Sequence, residues 1–213
     1  MLKTALNVVA TLAVFPCVAT CWLESKLRPG AEIVFMFWTQ VLALSPGFPG
    51  IFFRRAFYRL TLESCGINCT VGFGAFFSHR TARVDDDVYV GPYAVVGSAN
   101  LGAGCLIGTR ASLLSGLGHH QLGDDGKWHL DPVISRITIG ANVWVGEAAL
   151  VMADVGEGTL VAAGAVVSSP VAAGVVVAGN PARFVRHVRP AQAAVDAASS
   201  EERGRGSFVH SSH

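Results

Sequence analysis

Between Val71 and Ala182 an aliphatic residue followed by a small or acidic one returns every sixth position. The clearest hexads begin at Val84, Val90, Leu101, Ile107, Ile139, Val145, Val155, Val161 and Val167, with a shortened one at Val96. A period of six is neither helical nor the alternation of a half-buried strand. It suits a solenoid in which each hexad is one flat side of a triangular coil. The aliphatic side chain points inward, and glycine or alanine lets the chain turn the corner. No coil can bury its apolar residues alone, so coils must stack, and about five or six are expected if three hexads close a turn.

Upstream of the repeat the pattern changes. Thr4 to Leu23 is a run of twenty residues without a charge, flanked by Lys3 and by Glu24, Lys26 and Arg28. As a helix it would rise about 30 Å, one hydrocarbon core, with a kink expected at Pro16. The alternative is a secretory signal, since Val18-Ala19-Thr20-Cys21 loosely resembles a lipoprotein cleavage site, although Thr20 fits poorly before the cysteine. A second uncharged run, Ile33 to Phe53, is interrupted by Pro46, Gly47, Pro49 and Gly50. Only Ile33 to Ser45 is then expected to form a continuous helix, too short to span. It fits a re-entrant or interfacial segment, with Trp38, Phe48, Phe52 and Phe53 at headgroup level and Arg54, Arg55 and Arg59 facing lipid phosphates. The plainer alternative is a soluble helical pair covering one end of the main domain. The expected organisation is an apolar helical membrane-associated region over 1–64, a β-solenoid over 65–189 and a flexible tail over 190–213. The arginines put the solenoid on the cytoplasmic face of the membrane.

Composition agrees with a partner for the apolar N-terminus. Of 213 residues, 51% are hydrophobic and only 15% charged, more apolar than an ordinary soluble domain. The formal net charge of +1 supplies no global field for nucleic acid, so no such partner is expected. The five cysteines are odd in number, and Cys17 and Cys21 lie inside the apolar run, a poor disulfide framework. Cys65 and Cys69 are close in sequence, but no second pair follows at zinc-site spacing, and no metal is expected.

The repeat breaks between the hexads at Ile107 and Ile139, where the chain runs SGLGHHQLGDDGKWHLDPVISR. Long excursions inside compact repeats usually exist for function. An imidazole titrates near neutrality and can take a proton from an attacking hydroxyl, which makes His119 and His120 candidate general bases. Asp124, Asp125 or a backbone carbonyl could fix the ring tautomer. His79 and His129 read more readily as structural. The small-residue coils around Gly146, Ala162, Ala163 and Gly164 would leave a narrow groove with exposed amides, and Trp144 a possible apolar wall.

The hexads and the closing segment, IGANVWVGEAALV, VGEGTLVAAGAVV and VVVAGNPARFVRHV in that order, resemble the hexapeptide-repeat acyltransferase family over about residues 65–190. PGFPG, RRAFYRLTLESCG and VGFGAFFSH more weakly resemble the lead-in of membrane-associated members that modify polysaccharides or the cell envelope. The resemblance implies a left-handed parallel β-helix, an all-β solenoid, although usual crossover connections are right-handed. It also implies transfer of an acyl group, acetyl or similar, from coenzyme A to a hydroxyl acceptor, in a homotrimer with active sites shared between subunits. By resemblance the catalytic histidine lies in the loop, with His120 favoured over His119. The acyl-CoA site falls on Trp144, Gly146, Ala162 and Gly164, with Arg183 in GNPAR, and Arg186 as a second candidate, meeting phosphate.

The chain departs from the family where Val151-Met152-Ala153-Asp154 replaces a proline-glycine turn and where Ser168-Ser169 stands in place of a basic-acidic pair. Two other readings fit the repeat. One is a γ-type carbonic anhydrase-like metalloenzyme with His79 and His119 or His120 as ligands. The other is an inactive β-helix scaffold tethered to the membrane.

Overall fold

In the computed structural model, residues 2–115, 120–130 and 135–188 are described, with side chains at all of these except positions 2, 3, 120–122, 128 and 130. The expected tail, 190–213, lies outside the described residues. The uncharged run forms one helix, α1 (Leu2–Leu27), helical on both sides of Pro16. It is followed by α2 (Ile33–Ala43) and α3 (Gly47–Thr61). The third helix departs from the sequence expectation, which read Pro46 to Gly50 as an interruption. Pro46 is extended and caps the helix, and Pro49 falls in its first turn. An N–H there would have no intrahelical acceptor, so proline removes nothing and the PGFPG segment starts a helix.

The arginines of α3 are a second correction. Arg54 and Arg55 do not face outward: they are 1% and 7% exposed. Arg54 donates from Nε to the carbonyl of Val71 at 2.9 Å and from Nη1 to those of Ser45 and Leu42 at 2.7 and 3.1 Å. It thereby fastens α3 to the first coil and closes the turn after α2. Burial holds its pKa below the ordinary guanidinium value, and carbonyl oxygens supply the acceptors that water would otherwise give. Arg55 donates to Asn7 Oδ1 of α1 at 2.6 Å and lies over the Phe52 ring. Of the residues expected at headgroup level, Phe52 is buried and Trp38 and Phe53 half-buried, whereas Phe48 and Arg59 are exposed.

From Ser64 onward the chain winds through three faces of parallel strands, mostly two residues long. One face holds Ser64–Cys65, Arg83–Val84, Ala99–Leu101 and Ile137–Ile139, extended by bridges from Ile139 to Val155 and from Val155 to Val171. The second runs Thr70–Val71, Tyr89–Val90, Leu106–Ile107, Trp144–Val145, Leu160–Val161 and Val175–Ala178, with Arg183–His187 added antiparallel at its edge. The third holds Phe76–Phe77, Val95–Val96, Ser112–Leu113, Leu150–Val151 and Val166–Val167. The second face has six parallel strands, matching the coil number expected from the repeat.

The second residue of each short pair points inward. All ten aliphatic residues that open a hexad are buried, none more than 2% exposed. On the second face Val71, Val90, Ile107, Val145, Val161 and Val177 form one inner column through paired registers. At the N-terminal end α3 closes this core. Tyr58 is fully buried, its ring 4.8 Å from that of Phe77, and its hydroxyl accepts a bond from the Phe77 amide at 3.3 Å.

Candidate acyl-donor groove and hairpin

A residue just before an inward-pointing one faces outward. On the second face this outward row reads Tyr89, Leu106, Trp144 and Leu160, each paired in register with the next. Tyr89, Leu106 and Trp144 keep 41%, 46% and 54% of their surface, a large apolar exposure for three adjacent strands. They wall an open groove of about 740 Å³ whose floor and rim include Gly108, Gly146, Glu147, Ala162 and Ala163. Trp144, Gly146 and Ala162 are therefore brought together in one lining.

Gly146 is required by the stacking itself. A Cβ there would stand 2.5 Å from the Ala163 amide nitrogen of the next coil, closer than any side chain tolerates. Gly164 serves a different need: it turns a corner at φ +68°, its amide donating to the Glu147 carbonyl at 2.8 Å, outside the groove lining. The amides of Gly146 and Ala162 are engaged with the carbonyls of Val161 and Val177. Among the described residues, the corner amides of Glu147 and Ala163 have no backbone acceptor. Both residues line the groove.

Arg183 and Arg186 lie on the edge strand, which returns along Val175–Ala178 after Gly179 and the cis Asn180–Pro181 bond. Arg186 pairs with Val176, which pairs with Leu160, which pairs with Trp144. The guanidinium-bearing residue thus continues the outward row, three strand spacings or about 14 Å from Trp144. Arg183, opposite Ala178, is displaced toward the strand's other end. Both are exposed, each bonded only to a carbonyl of an adjacent residue, and among the described residues neither meets a carboxylate. The apolar row that walls the groove is thus followed, beyond Val176, by a cationic edge strand whose arginines lie outside the groove lining.

The interruption of the repeat is an antiparallel hairpin of His120–Leu122 with Trp128–Leu130, His120 opposite Leu130 and Gln121 opposite His129. His119 lies outside the described residues, as does the side chain of His120. Asp125 Oδ1 meets Nε2 of His129 at 2.9 Å and accepts from the Lys127 amide at 3.1 Å. Hydrogen bonding to His129 holds the Asp125 carboxyl below its ordinary pKa. At the root of the excursion, buried Ser115 accepts the Ser98 amide on its Oγ at 2.7 Å, and its carbonyl accepts the Ser135 hydroxyl at 3.3 Å.

His79 is not among the residues that line the groove. Its Nδ1 lies 2.7 Å from Glu32 Oε2, in the segment joining α1 to α2. Among the described residues no three His, Cys, Asp or Glu side chains gather as metal ligands would.

The sequence reading missed Tyr89, Leu106 and Leu160. Their signal was legible: a large apolar residue directly precedes the inward aliphatic one in YV, LI, WV and LV, where a solvated face would carry a polar residue.

No family model matches the chain, and no curated protein matches it significantly. Solved structures do. A maltose O-acetyltransferase from Clostridium difficile 630 superposes with a TM-score of 0.64 at 17% identity, over 75% of this chain and 87% of that one. A hexapeptide-repeat-containing acetyltransferase from Vibrio cholerae O1 biovar eltor, complexed with acetyl coenzyme A, gives 0.53 at 20% identity, over 76% and 92%. A galactoside acetyltransferase in complex with coenzyme A gives 0.53 at 19%, over 74% and 81%. The chain has the solenoid fold of the hexapeptide-repeat acetyltransferases. At these identities the likeness is one of fold.

Proposed function

We propose that the protein is a coenzyme A-dependent O-acyltransferase that transfers an acetyl or similar acyl group to a hydroxyl of a saccharide or cell-envelope precursor. The observation that carries this reading is the outward row Tyr89–Leu106–Trp144–Leu160 leading to Arg186, on a fold shared with acetyltransferases solved with coenzyme A or acetyl coenzyme A. The apolar wall suits a pantetheine arm, the rim amides of Glu147 and Ala163 suit its carbonyls, and Arg183 and Arg186 suit phosphate. The coil is left-handed in this reading, as the sequence resemblance implies. The exposed row is completed by a neighbouring subunit in a homotrimer, so that each active site is shared.

His120 is the general base. It takes the proton of the acceptor hydroxyl as that oxygen attacks the thioester carbonyl, and returns a proton to the departing sulfur. His119 is the alternative bearer of this role. The apolar helix α1 brings the enzyme to a membrane, on the cytoplasmic face where acyl-CoA is made.

The test is thiol release. Full-length protein given acetyl-CoA and a panel of saccharide acceptors releases free coenzyme A in proportion to acylated product. His120→Ala lowers the rate by about 10²–10⁴-fold while His119→Ala lowers it far less. Equal turnover by wild type and both single variants removes the base assignment. No turnover with any acceptor, together with no coenzyme A binding, favours an inactive scaffold.

A further inference from the structure

A helix of 26 residues is long enough to cross a bilayer, but α1 is tied down along its length. Near its start Asn7 Oδ1 accepts from Arg55 of α3 at 2.6 Å. Further along, Thr20 Oγ1 accepts from Trp38 Nε1 of α2 at 2.8 Å. Near its end Glu24 accepts the Val34 amide at 2.7 Å and pairs with Arg80 of the solenoid. Asn7 and Glu24 are seventeen residues apart, about 25 Å of helix. Between them Ala10, Val14 and Cys21 form one buried stripe against the body.

The body it lies on cannot follow it through lipid. Arg54 and Tyr58 lock α3 to the strands Thr70–Val71 and Phe76–Phe77 of the solenoid, so α1, α3 and the coils move together. A transverse α1 would drag α3, with Arg54, Arg55 and Arg59, and the end of the β-helix into hydrocarbon.

The outward faces are the ones that need lipid. Val8, Leu12, Phe15, Trp22 and Leu23 are half or more exposed, and at about 100° per residue they centre on the side opposite Ala10, Val14 and Cys21. Ile33, Phe37, Val41 and Leu44 repeat at four- and three-residue spacing along the exposed side of α2, which runs antiparallel beside α1. An open apolar groove of about 630 Å³ between α1 and α3, with Phe15, Trp22 and Leu60 in its wall, continues this surface. Residues 1–62 carry six basic and two acidic side chains, and both acids, Glu24 and Glu32, are already engaged. Lys26, Arg28 and Arg59 remain exposed.

We infer that α1 does not span the membrane but lies in the plane of one leaflet beside α2, its apolar face sunk toward the acyl chains and its basic residues on anionic headgroups. Both ends of α1 then stay on the solenoid's side. This rests on the membrane contact proposed above, and adds its orientation.

Two arms separate the contact from the orientation. In flotation, full-length protein rises with phosphatidylcholine vesicles containing phosphatidylglycerol and less with phosphatidylcholine alone. Leu12→Lys with Phe15→Lys lowers the bound fraction at least tenfold and leaves the thermal midpoint unchanged. In sealed cytoplasmic-side-out membrane vesicles, Thr4→Cys and Arg28→Cys variants are treated with a membrane-impermeant maleimide and the labelled peptides identified by mass, which separates them from native cysteines. Labelling of both positions from the outside is expected. Labelling of one position only, the other reacting after detergent, overturns the in-plane orientation and leaves membrane binding standing. Failure to float on either vesicle overturns both.

Discussion

Single side chains divide into those that hold the protein and those that define its chemistry. Arg54 is of the first kind. Replacing it by alanine takes the guanidinium donor from the carbonyls of Val71 and Ser45 and leaves that of Leu42 with the Ser45 amide alone, and a loss of about 3 kcal/mol is expected in denaturant unfolding. Trp144 is of the second kind: half its surface is exposed, so Trp144→Ala leaves the thermal midpoint almost unchanged but removes the apolar wall for the acyl donor. The rise in midpoint produced by excess coenzyme A should shrink in that variant, and in Arg186→Ala, while protein without ligand melts as wild type. The residues that were legible in the sequence are those set by periodicity. Trp144, Gly146 and Ala162 could be placed on one groove from the hexads alone. Arg54 and Arg55 could not, because an arginine beside an apolar run reads as a headgroup contact unless the carbonyls that will surround it are known.

Among the elements, the coil corners and the sheet ladders set the tolerances. At Gly146 an added side chain meets backbone, not another flexible side chain, so Gly146→Val displaces a coil and both lowers the thermal midpoint and closes the groove. Glu63 tests a different element contact, since its carboxylate takes hydrogen bonds from Arg83 and Arg136 across the first face. The hydrogen bond from Arg83 chiefly, with Arg136, holds its pKa below the ordinary value. Such a depressed carboxylate contributes stability that is fully present above the unfolded pKa of about 4.3 and is lost as pH falls through the folded value. The difference in thermal midpoint between wild type and Glu63→Gln should therefore be small but measurable at pH 7 and vanish in acid; a gap that widens toward pH 3 contradicts it. The solenoid was readable because one residue type recurs at one spacing. The start of α3 was not, because proline and glycine signal both a break and a helix N-terminus, and only the capping geometry of Pro46 and Pro49 decides.

For the whole molecule, the exposed row on the second face and the apolar face of α1 and α2 are separate surfaces, and the proposed function gives each its own test. The first predicts self-association: in detergent, light scattering should give three times the 22.3 kDa chain mass, and Leu106→Glu should lower it toward one chain. The second predicts attachment to lipid independent of that assembly. The most direct measurement is a calorimetric titration of full-length protein with coenzyme A. The groove predicts saturable binding at one site per chain, weakened about tenfold or more by Trp144→Ala and weakened with rising salt through Arg183 and Arg186. Absence of binding at millimolar coenzyme A, or binding indifferent to Trp144, contradicts the assignment of this groove to the acyl donor.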